Sequence, residues 1–397
     1  MENFALYNFD IGIKTKVKYG VNLYQQIGKI LLSQNFKNIL ICTDQNIIKL
    51  NFFNEIVDLI AKEGINSIIF SEVEINPGIH TINKAKNYYK NEKFDCVIGI
   101  GGGGPIDVAK AVSIGLTHSG DITDYIAETT GSKSEITEKV LPIISIPTTA
   151  GSGAEVSPVS VIIDERRKLK IGFFSEFLFP FLAIIDPVLY STLPPKATAE
   201  CGLDVLSHGF DSFVSRYSHC YSETLSLKAI ELVFGNLKKA VFDGQDLNAR
   251  GAMAVASIFS LISMYVGKGG ATHTIGEPLG GLYNVPHGYA CGIAILAMMR
   301  FLKSVCEDKY IRIYKTINDI DFSYLKKREA SDELIEDFRI FLSDFNLKRI
   351  SDYIPKPDIN MLCDYSINHL AVDRIPRIIT KEDYKAIYDE MFSKEYI

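Results

Sequence analysis

The sequence predicts an α/β domain built on a parallel sheet, followed by an all-helical domain, and three observations carry that expectation. Short apolar runs alternate with helical periodicity through the first half of the chain. These runs are nearly continuous rather than alternately apolar and polar, as strands covered on both faces require. After Asp186-Pro187 the β-branched runs give way to long helical patterns.

Taken in order, residues 37–43 (KNILICT), 66–70 (NSIIF), 94–100 (FDCVIGI), 141–146 (LPIISI) and 181–185 (FLAII) read as strands. Residues 47–63, 79–91 and 106–116 read as the helices between them, and such alternation describes an open parallel sheet. Residues 197–215, 223–237, 247–266, 291–304, 332–345 and 381–392 read as the later helices. Asp186-Pro187 and Leu193-Pro194-Pro195 punctuate the junction, which divides the chain into domains at 1–189 and 190–397. A cleft between two such domains is the default ligand site.

Composition excludes several classes of function. The chain's 397 residues are 47% hydrophobic, enough for a sizeable core and too apolar for a largely disordered protein. Forty-two Lys and Arg against 48 Asp and Glu leave a formal charge of −6 with no basic stripe, so no nucleic-acid partner is expected. The longest apolar runs, at 258–266 and 291–302, are shorter than a membrane span, and the first residues lack the features of a signal peptide. Seven scattered cysteines without a CxxC pair argue against disulfides or a cysteine-based zinc site, and favour a reducing, cytoplasmic setting. Cys42 and Cys96 lie in apolar runs and read as small buried hydrophobes.

Residues 98–110 (IGIGGGGPIDVAK) carry a strand into four glycines and then a helix. Such a turn lets backbone approach a diphosphate, and the helix N-terminus offers unbonded N–H groups with a partial positive charge. The segment is neither a Walker A loop nor a GxGxxG fingerprint, because Ile106 stands at the third glycine position. A second loop at 146–157 (IPTTAGSGAEVS) clusters hydroxyls and glycines after another strand. Ligands bind at the carboxyl ends of strands in these sheets, so the two loops reinforce each other. Asp44, after the first long strand, suits an adenosine ribose, but as a lone residue it reads first as a solvated turn or helix N-cap.

In the helical half, Asp204 and His208 are four residues apart on one helix face. Alone, that pair is an ordinary polar face. The segment 269–288 (GGATHTIGEPLGGLYNVPHG) adds His273 and His287, with glycines between them that permit sharp reversal. One carboxylate and three imidazoles suit Fe(II) or Zn(II) better than Mg(II) or Ca(II). The other histidines, 80, 118, 219 and 369, lack such company and read as ordinary residues.

Together, GGGGPIDVAK, IPTTAGSGAEVS, GLDVLSHGFDSFVS and HTIGEPLGGLYNVPHG, in this order and spacing, resemble the iron-dependent (group III) alcohol dehydrogenases over nearly the whole chain. The resemblance implies a dinucleotide-binding α/β domain and a helical metal-binding domain, the dehydroquinate-synthase-like architecture. It implies metal ligation by Asp204, His208, His273 and His287, with Fe(II) expected and Zn(II) the alternative. It places NAD(H), preferred over NADP(H), against Asp44, Asn76, Gly103, Gly104, Asp107, Thr148, Thr149, Ser157, Lys170 and Leu189. Serine is frequent in the family at position 104; Gly104 retains the N–H but not the hydroxyl. The implied chemistry interconverts a primary or small alcohol with its aldehyde or ketone, in a homodimer or higher homo-oligomer. The alternatives are a dehydroquinate-synthase-like or glycerol-dehydrogenase-like relative acting on a polyol or cyclic substrate. Net NADH formation with simple alcohols separates the cyclase from the dehydrogenase, and a non-catalytic sensor would bind metal without turnover.

Catalytic roles fall to His273 and Glu277. Where relatives commonly carry a second histidine four residues after the ligand matching His273, this chain has Glu277. A carboxyl in a dry cleft, with its pKa raised toward neutrality, suits a proton relay. Extra metal ligation, contact with a substrate hydroxyl or cation, and a side chain turned away from the cleft are the competing readings.

Overall fold

The computed structural model describes residues 9–127, 132–167, 169–318 and 326–396. Two compact units emerge: Ile13–Leu193, and Pro194–Ile397 with the N-terminal segment up to Gly12.

The first unit holds a six-stranded sheet of β1 (Lys16–Tyr19), β2 (Asn38–Cys42), β3 (Asn66–Phe70), β4 (Cys96–Gly101), β5 (Ile143–Pro147) and β8 (Leu182–Ile185). All pairings in it are parallel, in the order β1-β8-β5-β4-β2-β3. Side chains alternate faces along a strand. Ile39 and Ile41 of β2 therefore pack into one core with α1 (Ile27–Ser33) and α2 (Asn51–Lys62), while Leu40 and Cys42 join the opposite core with α3 (Ile79–Tyr89) and α4 (Gly103–Thr117). Both faces are covered, which is why the sequence shows continuous apolar runs. Cys42 and Cys96 are fully buried as small hydrophobes.

Three strands lie outside the expected set. Edge strand β1 reads KVKY and is exposed along its length, so it carries no apolar run; its lysines suit an unpaired edge. The antiparallel hairpin of β6 (Val159–Asp164) and β7 (Leu169–Phe174) forms a separate sheet beyond the second loop. After β8 comes the one-turn helix α5 (Pro187–Tyr190), capped by Asp186.

The second unit comprises α6 (Pro195–Val214), α7 (Cys220–Phe242), α8 (Leu247–Gly267), α9 (His273–Tyr283), α10 (His287–Asn318), α11 (Lys327–Ser343), α12 (Ile350–Tyr353), α13 (Ile359–Ile367) and α14 (Lys381–Met391). Every residue from Gly202 to Val214 of α6 is buried, so α6 is the central helix, packed by α7, α8 and α10. Residues 273–283, expected as a glycine-rich reversal, are instead helix α9 with Pro278 inside it. The reversal is confined to Asn284, whose left-handed backbone (φ 55°) ends the helix.

Contrary to the run-length reading, Leu247–Val266 and His287–Asn318 are long and apolar enough to cross a membrane by length and composition. Their most apolar windows are 56% and 72% buried within the protein, as expected of core helices. No disulfide joins the cysteines among the described residues.

Candidate active site

Two constellations occupy the two units. In the α/β unit, β4 ends at Gly101, whose φ of 142° is closed to ordinary side chains, and α4 starts two residues later. Gly102, its N-cap, supplies no side-chain cap, so the first N–H groups of a 15-residue helix stay available to an anion. The neighbouring strand β5 leads into Thr148, whose N–H donates to the Gly101 carbonyl at 2.9 Å. A Cβ on Gly103 would stand 2.7 Å from Ser152 Oγ, so the two loops meet at a distance that only glycine allows.

Asp44 joins them from the end of β2. The buried Thr43 hydroxyl donates to the Ile100 carbonyl at 2.8 Å, fixing the two strand ends together. Asp44 Oδ1 accepts the N–H groups of Asn46 and Ile47 at 2.7 and 3.1 Å, and Oδ2 lies 3.6 Å from where a Gly101 Cβ would be. The N-cap and ribose readings are therefore compatible, one oxygen serving each. Gly104 faces Pro77, next to Asn76.

Lys110 is fully buried below the glycine loop, 3.7 Å from the partly buried Asp107. Lys110 Nζ donates to the carbonyls of Ala154, Ser157 and Val159, tying the second loop to α4. Burial pushes Asp107 up to about 6 despite Lys110, and pushes Lys110 down to about 8 despite Asp107. Lys170 on β7 acts electrostatically on Asp107. Ser157 Oγ accepts the Val159 N–H at 3.1 Å. The Leu189 side chain is fully buried in the core with Ile39 and Ile41.

The helical unit gathers the second constellation. Asp204 Oδ1 lies 3.7 Å from both His208 Nε2 and His287 Nε2. The His273 ring stacks on His208 with centroids 5.0 Å apart and meets His287 at 5.3 Å. The four expected ligands are thus brought together from α6, α9 and α10. Gly288 explains the approach of α10 to α6, because a Cβ there would stand 2.2 Å from the Glu200 carbonyl oxygen and 2.8 Å from Asp204 Cβ.

His273 Nδ1 is 2.8 Å from Asp211 Oδ2, and Asp211 also accepts the N–H and hydroxyl of Thr272. That contact assigns the Nδ1 proton and leaves His273 Nε2, buried without a hydrogen bond, as a free electron-pair donor. His208 Nδ1 is likewise buried and unbonded, and burial holds the His208 pKa below the ordinary histidine value. At His273 burial lowers the pKa, but Cys291 first and then Asp211 outweigh burial and raise it well above the ordinary histidine value, so a metal there would displace a proton. Three imidazoles beside a carboxylate are a donor set that fits a divalent transition metal.

Three neighbours went unread in the sequence. Asp211 sits seven residues after Asp204, a spacing that keeps it on the same face of α6. Cys291 places its sulfur within 4.8 Å of ligand atoms of Asp204, His273 and His287. Burial pushes its thiol pKa up, leaving the carboxylate and imidazoles as the better donors. His369, expected to be ordinary, is 2.8 Å from Glu277 Oε2.

That pairing bears on the Glu277 carboxyl, expected to be poised near neutrality. Burial raises its pKa, but His369 first, then His273 and His287, outweigh burial and hold it well below the usual carboxylate range.

The profile described as "Iron-containing alcohol dehydrogenase" matches residues 14–187, and that described as "Fe-containing alcohol dehydrogenase family, C-terminal" matches residues 198–392. The chain belongs to the iron-containing alcohol dehydrogenase family. It is 29% identical to the choline dehydrogenase of Bacillus subtilis, over 96% of this chain and 94% of that one. It is 30% identical to long-chain-alcohol dehydrogenase 1 of Geobacillus thermodenitrificans, over 90% of each. The crystal structure of a 1,3-propanediol oxidoreductase superposes with a TM-score of 0.91 at 26% identity, covering 97% of this chain and all of that one. The protein is therefore a metal-dependent oxidoreductase of this family, acting on alcohols and aldehydes with NAD(H).

Proposed function

We propose that Asp204, His208, His273 and His287 hold one divalent metal, Fe(II) before Zn(II), and that the chain interconverts a small or primary alcohol with its carbonyl compound, preferring NAD(H) to NADP(H). The observation that carries this reading is the convergence of four donors from three helices, three of them buried and His287 half-buried, with His273 Nε2 left unbonded by the Asp211 contact. When bound, the metal supplies Lewis-acid polarisation of the substrate oxygen and the nicotinamide exchanges hydride.

The chain's own residues set the stage for both. Asp211 fixes the His273 tautomer and ring angle. The uncapped start of α4 offers N–H groups to the dinucleotide phosphates, with Thr148, Thr149 and Ser152 alongside. Asp44 presents a carboxylate that accepts ribose hydroxyls and repels a 2′-phosphate. The relatives' names run from choline to long-chain alcohols and propanediol, so the alcohol is chosen by the pocket rather than by the family. The cysteines without disulfides support a cytoplasmic setting. The family resemblance supports a homodimer or higher homo-oligomer.

Anaerobic purification with metal analysis, then NADH oxidation across short aldehydes, tests the reading. The expected result is about one metal per chain, set by the single site, and turnover that is lost on chelation and restored by Fe(II). Full activity in protein shown to be metal-free would overturn it.

A further inference from the structure

Glu277 and His369 form a pair that the proposed chemistry leaves without a task. Glu277 lies on α9, one turn after His273, and His369 lies in the segment after α13. His369 Nε2 and Glu277 Oε2 are 2.8 Å apart, and His369 Nδ1 accepts the Ala371 N–H at 3.1 Å. A ring nitrogen that accepts an N–H holds no proton, so the bonding pattern assigns the proton to Nε2, which donates it to Glu277. A second proton on the ring would face the Ala371 N–H directly. The pair therefore carries the net negative charge of the carboxylate.

The ring is fixed by its backbone. Arg374 donates to the Gly269 carbonyl at 3.1 Å, and the Arg216 N–H donates to the Arg374 carbonyl at 3.0 Å. Gly270, at φ 144°, lets Ala371 come so close that a Cβ on the glycine would stand 2.5 Å from the alanine's Cβ. Residues 369–374 are thus pinned to the segment that leads into His273. Meanwhile the Glu277 side chain stays 35% exposed, and its charge acts on His208, His273 and His287. An oriented anion with an open flank stands beside the metal ligands.

We propose that Glu277, held in place by His369 as a positioning residue, selects substrates by charge: it favours alcohols and aldehydes whose far end is cationic, accepts neutral ones and rejects anionic ones. The selection rests on the oxidoreductase reading above. Like charges brought together in a confined site are strongly disfavoured, and a carboxylate whose one named partner is a neutral donor gains from a cation, so one residue both attracts and repels.

The test compares three alcohols on the metal-loaded full chain: choline, its uncharged carbon isostere 3,3-dimethyl-1-butanol, and 2-hydroxyethanesulfonate. Wild type is expected to rank them in that order in kcat/KM, with the sulfonate at least about tenfold below the neutral alcohol. Glu277→Gln should bring all three within about threefold of one another, with metal content unchanged. His369→Gln, whose amide still donates to the carboxylate, should keep the discrimination, and His369→Ala should weaken it mainly through KM. Melting-temperature shifts induced by the same alcohols read the preference without turnover, with choline expected to stabilise wild type most.

A wild-type enzyme that uses the sulfonate as well as the neutral alcohol, or a Glu277→Gln variant with the ranking intact, overturns the proposal. Should Glu277→Gln fail to fold, the wild-type ranking decides alone. Absence of turnover with all three alcohols and with the aldehyde panel counts against the oxidoreductase reading instead. The melting shifts then still decide charge selection, and a choline shift no larger than the sulfonate's overturns it.

Discussion

Asp211 makes no expected contact with metal or substrate, yet it determines which nitrogen of His273 is available. Replacing it by Asn removes the anionic acceptor while keeping the shape. Partners of this kind are typically worth about 10–100-fold in metal affinity. Asp211→Asn should therefore lower metal affinity by that order with little change in far-ultraviolet circular dichroism, as read by metal titration of the apo-protein. Unchanged affinity would show that the 2.8 Å contact serves packing alone. Asp44 makes a second case. Asp44→Gly removes the acceptor for ribose and the repulsion of a 2′-phosphate, so the kcat/KM ratio of NADPH to NADH should rise by about tenfold or more. Equal ratios in wild type and variant would refute the ribose role and leave Asp44 as the cap for Asn46 and Ile47. The four proposed ligands were legible because each stood in a distinctive short motif. Asp211 stood in one of those motifs too, but its partner His273 is 62 residues away and only the fold reveals the pairing. His369 lies still further from Glu277, 92 residues along the chain, in a segment with no motif of its own.

At the scale of elements, legibility followed burial. The buried strands β2, β4, β5 and β8 declared themselves as apolar runs, as did edge strand β3 through Ile68, Ile69 and Phe70, and all sit within a residue or two of their expected bounds. Edge strand β1 did not, because an exposed edge needs no apolar face. The β6–β7 hairpin was hidden beyond a loop whose serines and glycines dominated the reading. Helix α9 was hidden by its own composition: glycines and Pro278 score poorly in isolation, but here helix propensity yields to packing. The glycine at 288 shows the same logic as a test. Gly288→Val would force a side chain into the Glu200 carbonyl and Asp204, pushing α10 off α6. The expected cost is about 1–3 kcal/mol of stability together with weaker metal binding, because His287 adjoins the displaced residue. Denaturant midpoints and metal titration check the two effects, and a variant with wild-type values in both would show that the seam is looser than its distances imply.

For the molecule as a whole, the two constellations lie in separate compact units. A ligand that binds only the folded form stabilises it by an amount set by its saturation, about 2.7 kcal/mol at a hundredfold excess over Kd. Metal contacts are proposed only for α6, α9 and α10, and dinucleotide contacts for the strand ends of the sheet. Metal should therefore protect amides of the helical unit from hydrogen exchange, and NADH those of the α/β unit around residues 101–107 and 148–157. Asp204→Asn removes the one carboxylate among the ligands and should abolish metal-dependent protection while leaving that from NADH. The α/β unit supplies none of the proposed ligands, so loss of NADH protection in this variant would mean that the nucleotide site depends on the metal. Protection by metal that survives Asp204→Asn would place the ion elsewhere. Either outcome is read from peptide-level exchange on the full chain with and without each ligand, and needs no knowledge of which alcohol the enzyme takes.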